Sequence, residues 1–171
     1  GDTYNDTQDG LPFFQGRTDF GFRYPENRKY CSAPSRVANA DDTLISVRAP
    51  VGDLNMAWEK CCIGRGVAAA RHKSGSVSFT FYSLRALQPE LQLYEHTGTV
   101  FGAINRKQFE KLPVVRPELA LITEFERIAG PMDQKIRQAT LELRSLVETR
   151  DYLLPRLMSG TVRVARESEA A

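Results

Sequence analysis

The apolar positions of this chain change their rule near Pro117. Upstream, short apolar alternations are broken by Gly, Pro, Asn and Asp, a texture of strands and loops with a few short helices. Leu44-Ile45-Ser46-Val47-Arg48 is a strand candidate closed by Ala49-Pro50-Val51-Gly52. Val77, Phe79 and Phe81 alternate with Ser78, Thr80 and Tyr82 at the strand period of two, so this run is predicted to be sheet as well. Gln88-Pro89-Glu90 can start a short helix, and Asn105 can cap another over Arg106 to Leu112, after which Val114-Val115 stops at Pro117. The pattern predicts a mixed, β-dominated domain over residues 1–117, to be followed by a helix: an α+β chain.

From Glu118 the apolar residues keep helical time. Phe125, Ala129, Met132, Ile136, Ala139, Leu143, Leu146, Arg150, Leu153 and Leu157 follow steps of four and three, the seam of a coiled coil in which the alanines permit close approach and Arg150 intrudes. A long helix is expected over 118–158, kinked or divided at Gly130-Pro131, with Pro155 near its end and a tail over 159–171. Such a stripe also serves plain core packing. Length argues for projection instead, because the run from Pro131 to Leu154 would reach ~36 Å at 1.5 Å per residue, about the diameter of a small domain. A projecting helix needs a partner for its stripe, and Met132, Ile136, Ala139, Leu143, Leu146, Arg150 and Leu153 are the expected pairing positions. Arg150 could set register by reaching Glu142 or Glu148 of a facing helix, or lie along the surface.

Composition narrows the class. With 171 residues, 42% hydrophobic and 26% charged, the chain can bury one good core. It has no apolar run near the roughly 20 residues that span a bilayer, and its first residues have neither a charged nor an apolar leader segment, so a cytoplasmic location is expected. Gly1 in place of Met suggests a fragment or processed chain. Net charge is only +2, but residues 17–73 hold ten Lys/Arg against six Asp/Glu, and Arg outnumbers Lys 17 to 6. The guanidinium fork pairs with phosphate or a guanine edge in two bonds at once, which makes a nucleic-acid partner plausible; a solvated, Arg-rich surface accounts for the same numbers.

Enzymatic signatures are absent. Ile63-Gly64-Arg65-Gly66 lacks the lysine of a phosphate-cradling loop and reads as a tight turn. Neither a nucleophile elbow nor a zinc-protease helix occurs, and the acidic and basic groups at Asp53 and Glu59-Lys60 lack a nuclease's spacing. Cys31, Cys61 and Cys62 are an odd set without C-x-x-C spacing, and neither His72 nor His96 stands at a zinc-ligand interval from them; buried reduced thiols are expected. No catalytic residue, metal ligand or cofactor is therefore expected.

Four stretches, taken in order, carry a resemblance. They are Leu11-Pro12-Phe13-Phe14-Gln15-Gly16-Arg17-Thr18-Asp19; Asp42 to Gly52 followed by Ile63-Gly64-Arg65-Gly66-Val67-Ala68-Ala69; Ile104-Asn105-Arg106-Lys107-Gln108-Phe109-Glu110-Lys111-Leu112-Pro113-Val114; and Leu146 to Gly160, containing Tyr152-Leu153-Leu154-Pro155-Arg156-Leu157. Their order and intervals span nearly the whole chain from Leu11 to Val164, and they resemble the specificity subunits of type I restriction-modification systems. The resemblance implies a target recognition domain and a conserved spacer helix. It implies double-stranded DNA as ligand, and as partners a methyltransferase subunit and, through the complex, a restriction and motor subunit, which bring the S-adenosylmethionine and ATP chemistry. A complete member has two recognition domains and two antiparallel helices, so this chain fits a C-terminal half or a single-domain relative. The helix would then pair with a second recognition half or with another copy of itself.

Within that picture the loop residues Gln15, Arg17, Arg23, Arg28, Arg48, Arg65, Asn105 and Arg106 are the candidate DNA contacts, the arginines for phosphate or guanine and the amides for adenine. Arg48 and Arg65 fall inside stretches shared among readers of different sequences, so a phosphate or loop-holding role suits them. Phe13, Phe14, Phe20, Phe22, Tyr24, Phe79 and Phe81 are expected mainly in the core, with stacking on a base as the other reading. The rival class is an interaction module in which the helix is a coiled-coil adaptor and the front domain binds protein. A nuclease or methyltransferase accessory with its own activity is a further alternative.

Overall fold

The fold was obtained as a computed structural model, which describes residues 3–96 and 102–163. The last part of the predicted tail, beyond residue 163, lies outside the described residues, as does the side chain of His96. The chain forms two compact units, Gly1–Gly130 and Pro131–Ala171.

In the first unit, β1 (Tyr4–Asn5), β2 (Leu11–Phe14), β3 (Tyr30–Cys31), β4 (Val37–Ala38) and β7 (Cys61–Ile63) make a sheet in the order β1-β3-β2-β7-β4. Its β2–β7 pair is parallel, with Phe13 opposite Cys62 and Phe14 opposite Ile63. The strands β5 (Thr43–Ser46), β6 (Leu54–Met56) and β8 (Val67–Ala70) form a second, antiparallel sheet with β5 central. The strand expected from Leu44 onward is therefore the middle of a sheet, and it is buried along its whole length, as a central strand covered on both faces must be. Phe14, Leu44, Ala57, Cys61 and Val67 close one core cluster. Ile45, Val51, Leu84, Leu87, Leu91, Ile104 and Leu112 close another. Each large side chain taken out of water there contributes about 1.5–3 kcal/mol.

The run predicted as a strand at Val77–Tyr82 is instead part of helix α1 (Val77–Ala86). Its alternation of Ser, Phe and Thr imitates a strand, but the buried positions Ser78, Thr80, Phe81 and Leu84 are linked by steps of three and four, Ser78 to Phe81 to Leu84 and Thr80 to Leu84, which is helical spacing. What decides the matter is remote in sequence. The backbone N–H groups of Ser78 and Phe79 donate to the two carboxylate oxygens of Glu126, at 3.1 Å each, so the orphan donors of the helix start are satisfied from 47 and 48 residues away. Helix α2 (Gln88–Gln92) carries its proline in the first turn, as expected. At α3 (Arg106–Phe109) Asn105 accepts from the Gln108 N–H while the Gln108 side chain accepts from the Asn105 N–H, a reciprocal cap.

Helix α4 runs from Leu119 to Met158 with Pro131 and Pro155 inside it. Its beginning belongs to the first unit: Ile122 is buried, Glu126 caps α1, and the Phe125 ring meets Phe79 and Tyr82 edge-on with centroids 6.0 and 5.9 Å away. In the second unit the expected pairing positions are largely uncovered. Met132, Leu143 and Leu146 are about 60% exposed, Ala139 and Arg150 are exposed, and Ile136 and Leu153 are half-buried. Arg150 makes its ion pair with Asp151 of its own helix, at 2.7 Å.

Candidate nucleic-acid interface

The site grows out of the end of β2. Buried Phe14 fixes the strand, and the next residues, Gln15 to Asp19, turn outward, closing with a short helical turn over Arg17–Asp19. This segment lies against the β7–β8 connection, where Ile63-Gly64-Arg65-Gly66 makes a tight turn with its centre at Arg65 and Gly66. The two glycines are there for closeness: a Cβ on Gly64 would strike the Gln15 side-chain oxygen, and one on Gly66 would sit 2.5 Å from the Gln15 carbonyl oxygen. Arg36 braces the same turn by donating to the carbonyls of Gly64, at 2.9 Å, and Val67, at 3.2 Å. Asp19 accepts from the Gln15 N–H at 3.3 Å. Burial pushes the Asp19 carboxyl above its ordinary value, with that N–H pulling the other way.

Adjoining cavities open around this turn. One of about 610 Å³ is lined by Gln15, Arg17, Thr18, Phe20, Arg48 and Pro50 among others. A second of about 290 Å³ shares Arg17 and Phe20 with it and adds Phe22, Asn55, Arg85 and Gln88. A third, about 530 Å³, takes Gln15 and Thr18 from the other side, together with Arg28 and Lys29. Arg17 is ion-paired with Asp53, which places one compensated cation at the centre. Arg48 and Arg85, one on each side of it, are exposed and their side chains make no hydrogen bond or ion pair among the described residues. Flanking backbone bonds fix Arg48 at its post: Val47 N–H donates to the Gly66 carbonyl, Ala49 N–H to that of Gly102, and Ile104 N–H to that of Val47, at 2.9 to 3.0 Å.

The predicted residues separate accordingly. Gln15, Arg17, Arg28 and Arg48 come together around the turn, with Arg28 held by Glu26 at 2.9 Å. Arg65 is exposed at the tip of its turn, and its side chain too has no partner among the described residues. Asn105 commits its amide oxygen to capping α3, and Arg106 pairs with Glu110 at 2.7 Å, which pushes the guanidinium pKa further up; neither lines these cavities. Arg23, expected on a DNA-facing loop, is largely buried, although it lines the cavity of about 290 Å³ together with Arg17 and Arg85. Its guanidinium lies 4.0 Å from the Phe81 ring centre and donates to the Tyr82 hydroxyl at 3.0 Å, so its charge is spent on the aromatic packing beneath the loop.

The aromatic set divides as well. Phe13, Phe14, Tyr24 and Phe81 are buried, Phe20 packs partly on the first core cluster, and Phe79 is half-buried against Phe125. Phe22 departs from the expected core placement, being 90% exposed. Sequence reading missed Arg85 because a strand at Val77–Tyr82 gives no reason to bring residue 85 to Arg17. Helix α1 supplies that reason.

Little else in the described residues invites chemistry. Cys31, Cys61 and Cys62 are buried free thiols; burial, with the Asp42 carboxylate adding to it, pushes Cys61 up to about 12, and burial with the Cys31 contact pushes Cys62 up to about 11. Among the described residues no group of three or more His, Cys, Asp or Glu is placed to hold a metal ion, and no helix is long and apolar enough to cross a membrane.

No protein-family model matches the chain. It is 35% identical, over 95% of its length, to a putative type I restriction enzyme MjaX specificity subunit of Methanocaldococcus jannaschii, of which it covers 38%. Among solved structures it resembles the HsdS subunit of Thermoanaerobacter tengcongensis, with TM-score 0.64 and 41% identity, covering 85% of this chain and 34% of that one. A chain of a type I restriction-modification system, solved in connection with complex assembly and conformational transition, matches with TM-score 0.61 and 41% identity, over 90% of this chain and 37% of its own. The chain thus spans well under half of the relatives it matches.

Proposed function

Because this chain belongs to the family of type I restriction enzyme specificity subunits, we propose that it is a cytoplasmic, non-catalytic reader of double-stranded DNA that sets one half of a bipartite target site. In this reading residues 1–117 are the target recognition domain, and 118–158 is a spacer helix whose uncovered seam pairs with a second recognition half or a second copy. A methyltransferase subunit and, through the assembled complex, a restriction and motor subunit are the partners that carry the chemistry.

One observation carries the reading: exposed arginines without internal partners, Arg48 and Arg85, line adjoining cavities on either side of the ion-paired Arg17, with the amides Gln15 and Gln88 beside them. Unpaired guanidiniums in clefts suit phosphate oxygens or guanine edges, and side-chain amides suit adenine. The Arg17–Asp53 pair holds a further cation in a fixed place between them. Duplex affinity measured across a salt series tests the proposal, with the chain assembled on its methyltransferase subunit. Arg48→Ala and Arg85→Ala are each expected to cost about 1–3 kcal/mol if they read a base, or to flatten the log–log salt slope by about 1 if they touch phosphate. Unchanged affinity and slope in both variants would overturn the placement.

A further inference from the structure

Phe22 stands out of the protein while everything around it is fastened down. The preceding residue, Gly21, is clamped by the buried Asn55 side chain, which accepts from the Gly21 N–H at 3.2 Å and donates to the Gly21 carbonyl at 2.9 Å. Gly21 also passes so near Tyr24 that a Cβ would lie 2.6 Å from the Tyr24 carbonyl oxygen. The following residue, Arg23, is buried on Phe81 and Tyr82, and its carbonyl accepts from the Met56 N–H at 2.8 Å. Tyr24 then stacks on Trp58 with ring centres 3.8 Å apart. A loop pinned at both neighbours of an outward-facing phenylalanine holds the Cα of that residue in a fixed place, and a surface that covered the ring there would gain by taking it out of water.

The place it is presented to is the rim of the cavity lined by Arg17, Arg85, Asn55 and Gln88. A polar, arginine-bearing rim with one exposed aromatic on an anchored loop is a poor seat for an apolar protein surface. It suits a nucleic acid, whose phosphates engage the cations while a base face takes the ring. We propose that Phe22 is a stacking residue, packing its ring against a base at a step of the DNA duplex that opens when the chain binds, so that the ease of unstacking this step enters the choice of target. The proposal rests on the DNA-reading function argued above.

The experiment uses the chain assembled on its methyltransferase subunit and duplexes carrying the site mapped from wild-type methylation, with 2-aminopurine placed at each position of the half-site in turn. Wild type is expected to raise the emission at one step besides the methylated base. Phe22→Ala should abolish that rise and weaken binding about tenfold, the order of one lost base–aromatic stack. Its salt slope and melting temperature should not change, because no charge and no buried contact is removed. Phe22→Trp should keep both the emission rise and the affinity. If wild type binds duplex DNA and Phe22→Ala matches it in emission and affinity, the stacking role is overturned while the DNA reading stands. Weaker capture of the methyltransferase subunit by Phe22→Ala, with DNA emission unchanged, would overturn it in favour of a protein contact. Failure of wild type to bind any duplex would sink the underlying reading itself.

Discussion

Two stretches of one helix behave as if they belonged to different proteins. From Leu119 to Gly130, α4 is part of a domain: Ile122 is 3% exposed, Ala129 is buried, Phe125 meets Phe79 and Tyr82, and Glu126 closes the start of α1. From Pro131 to Met158, roughly 42 Å of helix at 1.5 Å per residue, the apolar stripe has the same steps of four and three but stays largely in solvent. Periodicity alone does not separate these cases, since a heptad seam and a core-facing stripe read alike at this length. What separates them is whether a neighbour supplies the other face. The first stretch finds it within its own unit; the second is left largely uncovered, and the proposed pairing would supply what an isolated helix, marginal in water without tertiary packing, lacks.

The contrast can be broken most forcefully at the buried apolar contact. Ile122→Ala should destabilise the isolated chain by about 2–5 kcal/mol, read as a fall in the denaturation midpoint, whereas Leu143→Ala in the uncovered stretch should change stability by less than ~0.5 kcal/mol. Equal effects would erase the distinction. Next in size, Glu126→Ala strips two backbone N–H groups of their acceptor and should cost about 1–2 kcal/mol; Glu142→Ala, on the exposed stretch, should cost nothing measurable. Melting curves of the two variants side by side check this.

The cap at Glu126 also explains where sequence reading stopped. The β5 strand, the Asn105 cap, the proline at the start of α2 and the α4 stripe are announced by residues within each element itself, so local pattern exposes them. Helix α1 depends on a carboxylate from the far end of the domain, and nothing near Val77 announces it. The candidate site shows the same division. Gln15, Arg17 and Arg48 were legible as polar residues on glycine- and proline-rich loops. The burial of Arg23 and the exposure of Phe22 follow from which side of one loop faces Phe81, a long-range fact. Arg85 was lost together with α1.

Two smaller effects sharpen the comparison further. Leu143→Glu with Leu146→Glu should leave the melting of the first unit within ~0.5 kcal/mol of wild type, yet, if the seam pairs as proposed, abolish that pairing and weaken capture of the proposed methyltransferase partner, as sedimentation would record. An unaltered assembly would mean that the stripe has no partner there. The mildest is confined to the first unit. The Cys61 and Cys62 thiols stand at about 12 and about 11, above the ordinary 9.0, so the folded state binds protons that the unfolded state releases. Their contribution to stability is complete below pH 9 and is lost as pH rises toward 12. At pH 8 the folded protein should resist thiol alkylation that the unfolded chain undergoes readily; rapid labelling of native Cys61 would contradict the burial.

Whether the first unit reads DNA, as proposed, is decided most directly by expressing the chain with the methyltransferase subunit that the proposal gives it and mapping the methylated positions across a genome. The account predicts methylation at a defined bipartite site that requires this chain, with Arg48→Ala and Arg85→Ala degrading sequence preference in one half and leaving the other intact. A methylation pattern that is the same with the wild-type chain, with either variant and with no chain at all would contradict it.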